Sequence, residues 1–270
     1  MININGLSKN FDGFDALVNL DMSVKTGSIY GLVGVNGSGK TTVIKHLAGV
    51  YKADSGLVEI DGQGIYDNEK VKAKIGYVAD DLYFFPQYNL KMLRKFYKGM
   101  YKSWSDERFT ELTDMMGLKL NQRVSRFSKG MQKQAALSMV LSCMPEFLLL
   151  DEPIDGLDPI VRKRVFEWII DDVAARNMTV LISSHNLKEM DGICDTVGII
   201  KEGRMMLEED LDELKTKMQD KQISEYSPPS LDEIFIYVYE NDGVTEESNS
   251  PAPPPSEPVE TTERKDEKND

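Results

Sequence analysis

Four short apolar stretches near the start of the chain have the composition and spacing of β-strands. They are residues 4–7, 18–24, 57–60 and 74–78. Alternation of apolar and polar residues with a period of two is typical of a strand with one buried face. We therefore predict a small antiparallel sheet in this part of the chain.

The apolar spacing changes to the three-to-four-residue period of amphipathic helices between residues 86 and 145. Residues 90–97 predict a first helix. Ser105 predicts the N-cap of a second, with acidic residues in its first turn. A third is expected over residues 129–143, ended by Pro145. We interpret the whole segment as an all-helical insert.

After the insert, strands and helices alternate. Residues 146–151 form a continuous apolar run that ends in Asp151, as expected of a central parallel strand. The following predicted elements are a helix at 161–177, a strand at 179–183, a short helix at 187–195 and a hairpin over 197–207. This order predicts a mostly parallel sheet that is covered on both faces.

One glycine-rich segment between a predicted strand at 29–33 and a helix at 42–48 has the spacing of a phosphate-binding loop. Its wrapped backbone N–H groups and the helix N-terminus would form an anion site. Lys40 would reach the β- and γ-phosphates, and the Thr41 hydroxyl would bind Mg²⁺. The residues assigned to nucleotide binding here are Gly34, Asn36, Gly37, Ser38, Gly39, Lys40, Thr41 and Thr42.

The loop and the element order predict an α/β fold: a P-loop NTPase core with an N-terminal antiparallel β subdomain and a helical insert. We assign the core to residues 1–85 and 146–210 and the helical subdomain to 86–145. A C-terminal extension follows over 211–240. Residues 241–270, rich in proline and acidic residues, are expected to be a disordered tail.

Two acidic residues close the strand that precedes residue 152. The carboxyl ends of strands in such sheets lie beside the ligand, so Asp151 is a candidate ligand for Mg²⁺. Glu152 is a candidate base that orients and deprotonates an attacking water. Glu152 and Lys40 are thus expected to be catalytic.

The charge of the chain argues against nucleic acid as a partner. The net charge is −13, of which residues 241–270 carry −6, and the remainder has no evident basic face.

No apolar run reaches the roughly 18 residues that a membrane span needs, and residues 1–5 lack signal-peptide features. Cys143 and Cys194 are expected to be buried free thiols.

Four motifs, in the family's order, resemble those of the ATP-binding subunits of ABC transporters, and the resemblance covers about residues 2–207. They are Phe127-Ser128-Lys129-Gly130-Met131 (signature), Asp151-Glu152-Pro153 (Walker B), Asp155-Gly156-Leu157-Asp158 (D-loop) and Ser183-Ser184-His185 (switch histidine). In addition, Phe11 is at the family's adenine-stacking position. A lone Phe usually packs in a core, and a lone His is often structural. The resemblance instead implies that Phe11 stacks on adenine and that His185 contacts the γ-phosphate, as a third catalytic residue beside Glu152 and Lys40.

The resemblance also implies a head-to-tail dimer in which Ser128 and Gly130 of one subunit contact the ATP of the other. Three motifs depart from the family pattern, at four positions. Asp80 replaces the Q-loop glutamine, where it could still ligate Mg²⁺; Lys129 and Met131 replace signature residues; and Asp155 replaces the D-loop serine. The combination of Ser-Lys-Gly-Met with Tyr-Val-x-Asp-Asp is similar to bacterial export-type subunits, as is the segment 229–235.

These expectations combine into one function: an ATP-binding and ATP-hydrolysing subunit that powers a separate integral membrane permease, for export. It would pair as a homodimer or with a second ATP-binding subunit, on the cytoplasmic face of the cell membrane. Residues 80–87, with the apolar run 83–86, would seat the permease, although burial of that run inside the insert is equally compatible. The alternatives are a soluble ABC-type ATPase that acts on DNA or ribosomes and a weakly hydrolysing regulatory subunit.

Overall fold

The structure, a computed structural model, describes residues 1–221, 223 and 228–241, so the predicted tail at 241–270 lies outside it except for Asn241. The strands are β1 (Ile2–Phe11), β2 (Phe14–Val24), β3 (Ile29–Val33), β4 (Ser55–Ile60), β5 (Gln63–Gly64), β6 (Ile75–Val78), β7 (Phe147–Asp151), β8 (Thr179–Ser184), β9 (Thr196–Lys201) and β10 (Arg204–Asp210). The helices are α1 (Lys40–Leu47), α2 (Glu69–Lys72), α3 (Leu90–Met100), α4 (Asp106–Met115), α5 (Lys129–Ser142), α6 (Pro159–Arg176), α7 (Leu187–Met190), α8 (Leu211–Asp220) and α9 (Leu231–Glu240).

The first sheet is antiparallel, with the strand order β2-β1-β4-β5. Strands β1 and β2 are joined by a two-residue turn, Asp12-Gly13, in which both residues have positive φ. This is the tight hairpin that an Asp-Gly pair favours. The predicted antiparallel β subdomain is therefore confirmed. The hairpin also makes Phe11 the last residue of β1 and pairs it with Phe14.

The second sheet has the order β10-β9-β3-β8-β7-β6, and all neighbours except β10 and β9 are parallel. The predicted core fold is therefore confirmed. Assigning residues 74–78 to the antiparallel sheet was wrong, because β6 pairs in parallel with β7. Three of the four β6 residues are buried. Burial on both faces is expected of a covered parallel sheet rather than of a half-exposed strand.

The large sheet separates two apolar layers, and strand alternation decides which layer each side chain enters. On β7, Leu148 and Leu150 face the layer shared with α5 and α6, while Phe147 and Leu149 face the layer shared with α1 and the antiparallel sheet. Asp151 continues the second set. Its carboxylate is therefore directed to the face on which α1 lies.

The segment 86–145 contains α3, α4, α5 and a single 3₁₀ turn, Val124–Arg126. Ser105 caps α4 by accepting a hydrogen bond from the N–H of Arg108 at 3.1 Å, as predicted. The helix expected at 187–195 is shorter than predicted, since α7 ends at Met190. The domain boundaries themselves stay predictions.

The C-terminal helices α8 and α9 pack on the core through apolar residues that include Leu214 and Ile234. The Lys201 ammonium at the end of β9 donates to the Tyr239 carbonyl of α9 at 3.0 Å. Within the described ranges, none of the helices combines the length and apolarity required to cross a membrane.

The two thiols are predicted to be unreactive in the folded protein. Burial raises the pKa of Cys143 and of Cys194 to about 12, and the thiolate is the reactive form. At pH 7.5 we expect Ellman's reagent to label neither thiol in the native chain within minutes and both in denaturant. Fast labelling of the native chain, measured by absorbance, would contradict this burial.

Candidate nucleotide-binding site

The loop between β3 and α1 is a tight wrap that the rest of the fold holds in place. Gly39, the N-cap of α1, has a φ of 112° that a residue with a side chain rarely adopts. A Cβ on Gly34 would come within 2.5 Å of Ser38 Oγ. The N–H of Gly203 donates to the Ser38 carbonyl at 2.9 Å, and the N–H of Val18 donates to the Gly203 carbonyl at 3.0 Å. The β9–β10 turn thus ties the loop to β2.

The Lys40 ammonium is folded back onto this loop. It donates to the carbonyl oxygens of Gly34 at 2.8 Å and Val35 at 3.2 Å. The carboxylate of Glu152 lies 3.6 Å from it. Lys40 is only 6% exposed, and a buried charge needs such partners. Phosphate oxygens can replace these carbonyls as acceptors, so the contacts fit a lysine that engages an anionic ligand.

Asp151 lies under the first turn of α1, as its place on β7 requires. Thr41 Oγ1 donates to Asp151 Oδ1 at 3.1 Å, and Ser183 Oγ donates to the same oxygen at 2.7 Å. A hydroxyl beside a carboxylate is the oxygen donor set that Mg²⁺ prefers. Ser38 Oγ, next to them in the loop, is buried without a hydrogen-bond partner. These residues therefore fit both a magnesium ion and a phosphate oxygen.

Tyr77 on β6 stays protonated at neutral pH. Burial, followed by the charge of Asp151, raises the pKa of its phenol to about 12. Ser183 was not predicted as a site residue. Ser183 lies opposite Asp151 in the pairing of β7 with β8, and the sequence alone does not give that register.

Glu152 is held in an uncommon backbone conformation with a φ of 46°. Its N–H donates to the Ser183 carbonyl at 3.2 Å. Its Oε2 accepts from the N–H of His185 at 3.3 Å and lies 2.9 Å from His185 Nδ1. Glu152 is 8% exposed, whereas the His185 side chain is 50% exposed. The carboxylate is thus positioned between the Lys40 ammonium and His185, where it can accept a proton from a water.

Asp80 borders the same cleft from the loop that follows β6. Its carboxylate is 56% exposed and accepts a hydrogen bond from the Lys133 ammonium at 3.2 Å. Among the described residues, no hydrogen bond joins Asp80 to Thr41 or Asp151. Its role as a metal ligand therefore stays a prediction, and its observed partner, Lys133, was missed by the sequence analysis.

A cleft of about 370 Å³ connects the loop to the aromatic residues of the first hairpin. Its lining residues are Phe11, Phe14, Ala16, Asn36, Gly37, Gly39, Lys40, Thr41, Thr42, Asp80 and Glu152. Phe11 is 37% exposed, packs edge-on against Tyr51, and carries the Lys9 ammonium over its ring. Phe14 is 65% exposed and was not predicted. The Asp12-Gly13 turn is the sequence signal that would have placed both rings together.

Ser128 and Gly130 belong to a different region of the described structure and do not line this cleft. Ser128 caps α5 by accepting from the N–H of Met131 at 3.3 Å. A Cβ on Gly130 would lie 2.4 Å from the Gly156 carbonyl, so this glycine is required by packing within the chain. The structure thus leaves the α5 N-terminus apart from the phosphate loop of the same chain.

Comparisons with known proteins agree on one family. A family model described as ABC transporter matches residues 17–155. The ABC transporter ATP-binding protein YtrB of Bacillus subtilis is 34% identical over 215 residues, which cover 80% of this chain and 74% of YtrB. The bacitracin transport ATP-binding protein BcrA of Bacillus licheniformis is 34% identical over 223 residues, covering 80% and 72%.

Solved structures share the fold. An ATP-binding subunit of an ABC transporter superimposes with a TM-score of 0.79 at 24% identity, covering 88% of this chain and 99% of that one. A dimeric bacterial ABC transporter cassette gives a TM-score of 0.71 at 23% identity, covering 78% and 99%.

The predicted stacking of Phe11 on adenine can be tested, because Phe11 and Phe14 both line the cleft. Replacing Phe11 by Ala is expected to raise the Kd for ATP by roughly 5- to 10-fold, since one aromatic stacking contact contributes about 1 kcal/mol. Phe14→Ala is the matched comparison and should change the Kd less. Isothermal titration calorimetry with ATP would measure both Kd values. Weaker binding only in Phe14→Ala would assign the stacking role to Phe14.

Proposed function

The chain belongs to the ABC transporter family of ATP-binding proteins, whose ATP-binding domains are ATPases, and from this premise we propose that it powers a separate integral membrane permease for export. The observation that carries its central part, ATP hydrolysis, is the contact of Glu152 with both Lys40 and His185. This arrangement places a candidate base beside the cation that would bind the terminal phosphates.

In the proposed reaction, water attacks the γ-phosphorus, the bond to the ADP oxygen breaks, and Glu152 accepts the proton of the water. Lys40 exchanges its loop carbonyls for β- and γ-phosphate oxygens. His185 contacts the γ-phosphate. Thr41 and Asp151 would hold Mg²⁺, which would supply positive charge to the phosphate oxygens.

A second nucleotide-binding subunit would complete the site. Ser128 and Gly130 do not line the cleft at the phosphate loop of their own chain, which is compatible with a head-to-tail arrangement. The N-terminus of α5, a helix of 14 residues, offers the positive end of its dipole to a γ-phosphate of the partner. The partner is a second copy of this chain or a different ATP-binding subunit.

An exposed apolar surface supports permease docking. Tyr83 and Phe85 are 80% and 48% exposed, whereas Phe84 packs against the core. Along α3, exposed apolar residues recur every fourth position, at Met92, Phe96 and Met100. Each of these two sets of exposed apolar side chains would fit an amphipathic segment of a membrane protein, and such docking would place the chain on the cytoplasmic face of the cell membrane.

The proposed direction, export, rests on sequence. Residues 128–131 and 77–81 are similar to export-type subunits, and BcrA, which is named for bacitracin transport, is 34% identical.

Glu152→Gln is predicted to keep ATP affinity and lower steady-state hydrolysis by roughly 10²- to 10⁴-fold, because a positioned base contributes about that factor. The variant should form an ATP-bound dimer that size-exclusion chromatography separates from the monomer. Glu167→Gln, an exposed change on α6, is the control. Wild-type turnover in Glu152→Gln would remove Glu152 from the role of base, and negligible turnover in the wild type would favour a regulatory subunit.

Replacing both Tyr83 and Phe85 by Ser is predicted to lower recovery of a polytopic membrane protein about 10-fold or more, since aromatic anchors dominate interfaces. The measurement is a pull-down from native membranes in mild detergent. ATPase activity of the isolated chain should change less than about 2-fold. Ile170→Ser removes an apolar side chain of comparable exposure, 43%, from α6 and is the control. Equal recovery with all variants, or recovery of ribosomes or DNA-binding proteins alone, would contradict the docking proposal.

A further inference from the structure

One buried lysine connects three segments that meet at the site. Lys133, on the second turn of α5, is 5% exposed. Its ammonium donates to the Glu152 carbonyl oxygen and to Asp80 Oδ1, the latter at 3.2 Å. A single cation therefore joins the helix that begins at Ser128, the loop after β6 and the turn after β7.

The contact with Glu152 acts on a strained backbone. The positive φ of Glu152 is costly for a residue with a side chain and persists only where its surroundings determine it. The N–H of Glu152 is bonded to the Ser183 carbonyl, and its own carbonyl is bonded to Lys133. The residue is thus fixed on both sides, and its carboxylate consequently reaches Lys40 and His185.

The carboxylate of Asp80 is stabilised at its position after β6 by the positive charge of Lys133. A buried ammonium without an anionic or polar partner is strongly unfavourable. Asp80 supplies the anion, and the Glu152 carbonyl supplies the buried acceptor. The negative charge at residue 80 and the positive charge at residue 133 therefore form an ion pair in which each charge has a partner.

We propose that Lys133 is a positioning residue for ATP hydrolysis, which sets the direction of the Glu152 carboxylate through its backbone carbonyl and makes that direction depend on the placement of α5 and Asp80. The inference rests on the proposed role of Glu152 as the base. Lys133 itself touches neither nucleotide nor water in this proposal. Movement of the helical insert relative to the sheet would change hydrolysis through this contact.

The test compares Lys133→Met, which keeps length and apolar bulk, with Lys133→Arg, which keeps a donor to both acceptors. We expect Lys133→Met to lower kcat about 10- to 100-fold, since small misplacements of a catalytic group have effects of that size. The KM and the Kd for ATP should change less than about 3-fold. Lys133→Arg should recover kcat to within about 5-fold of the wild type. Lys163→Met, at an 80% exposed lysine of α6, is the control.

A second background separates positioning from mere structural support. If Lys133 acts through Glu152, adding Lys133→Met to Glu152→Gln should not lower residual hydrolysis further, measured by single turnover with radiolabelled ATP. An equal loss in both backgrounds, an unchanged kcat in Lys133→Met, or parallel losses of Tm and ATP affinity would overturn the proposal. If Lys133→Met does not fold, Lys133→Leu, which also lacks a donor, takes its place under the same criteria. Full turnover of Glu152→Gln alone would instead reject the base assignment on which the proposal rests.

Discussion

The buried positive charge of Lys40 is the constraint on which the site depends. An ammonium this far from solvent must be paired, and the chain satisfies it with two loop carbonyls and the Glu152 carboxylate. Phosphate oxygens can replace the two carbonyl oxygens as acceptors for the ammonium, and the Glu152 carboxylate can turn toward the γ-phosphate. The Lys40 ammonium therefore needs anionic or polar partners in the folded chain, and a bound nucleotide can supply them.

The two acidic residues beside Lys40 have different hydrogen-bond partners. Asp151 is stabilised by the hydroxyls of Thr41 and Ser183, while Glu152 lies between a lysine and a histidine. Asp151 and Glu152 are adjacent in sequence but consequently have different surroundings, which is compatible with the proposed roles of metal ligand and proton acceptor. The alternation of the central strand sends Asp151 toward α1, and the positive φ of the next residue redirects Glu152.

Local patterns in the sequence predicted most of the fold and the centre of the site, because loop spacing, strand alternation and helix caps depend on near neighbours. The loop from Gly34 to Thr42 and the acids at 151 and 152 belong to this class. Contacts between residues far apart in the sequence could not be predicted in this way, because they depend on how the strands and helices pack. Ser183 on β8 contacts Asp151 on the neighbouring strand β7, and Lys133 on α5 contacts Glu152 in the turn after β7. Strand β6 was misplaced because its short apolar run fits either sheet.

The most direct test of the account is a structure of the wild-type chain with Mg²⁺ and a non-hydrolysable ATP analogue. The account predicts that the Lys40 ammonium leaves the Gly34 and Val35 carbonyls and lies about 3 Å from a β- or γ-phosphate oxygen, with the Glu152 carboxylate facing the γ-phosphate. An analogue bound away from residues 34–42, or a Lys40 that keeps its loop carbonyls with the analogue present, would contradict the central claim.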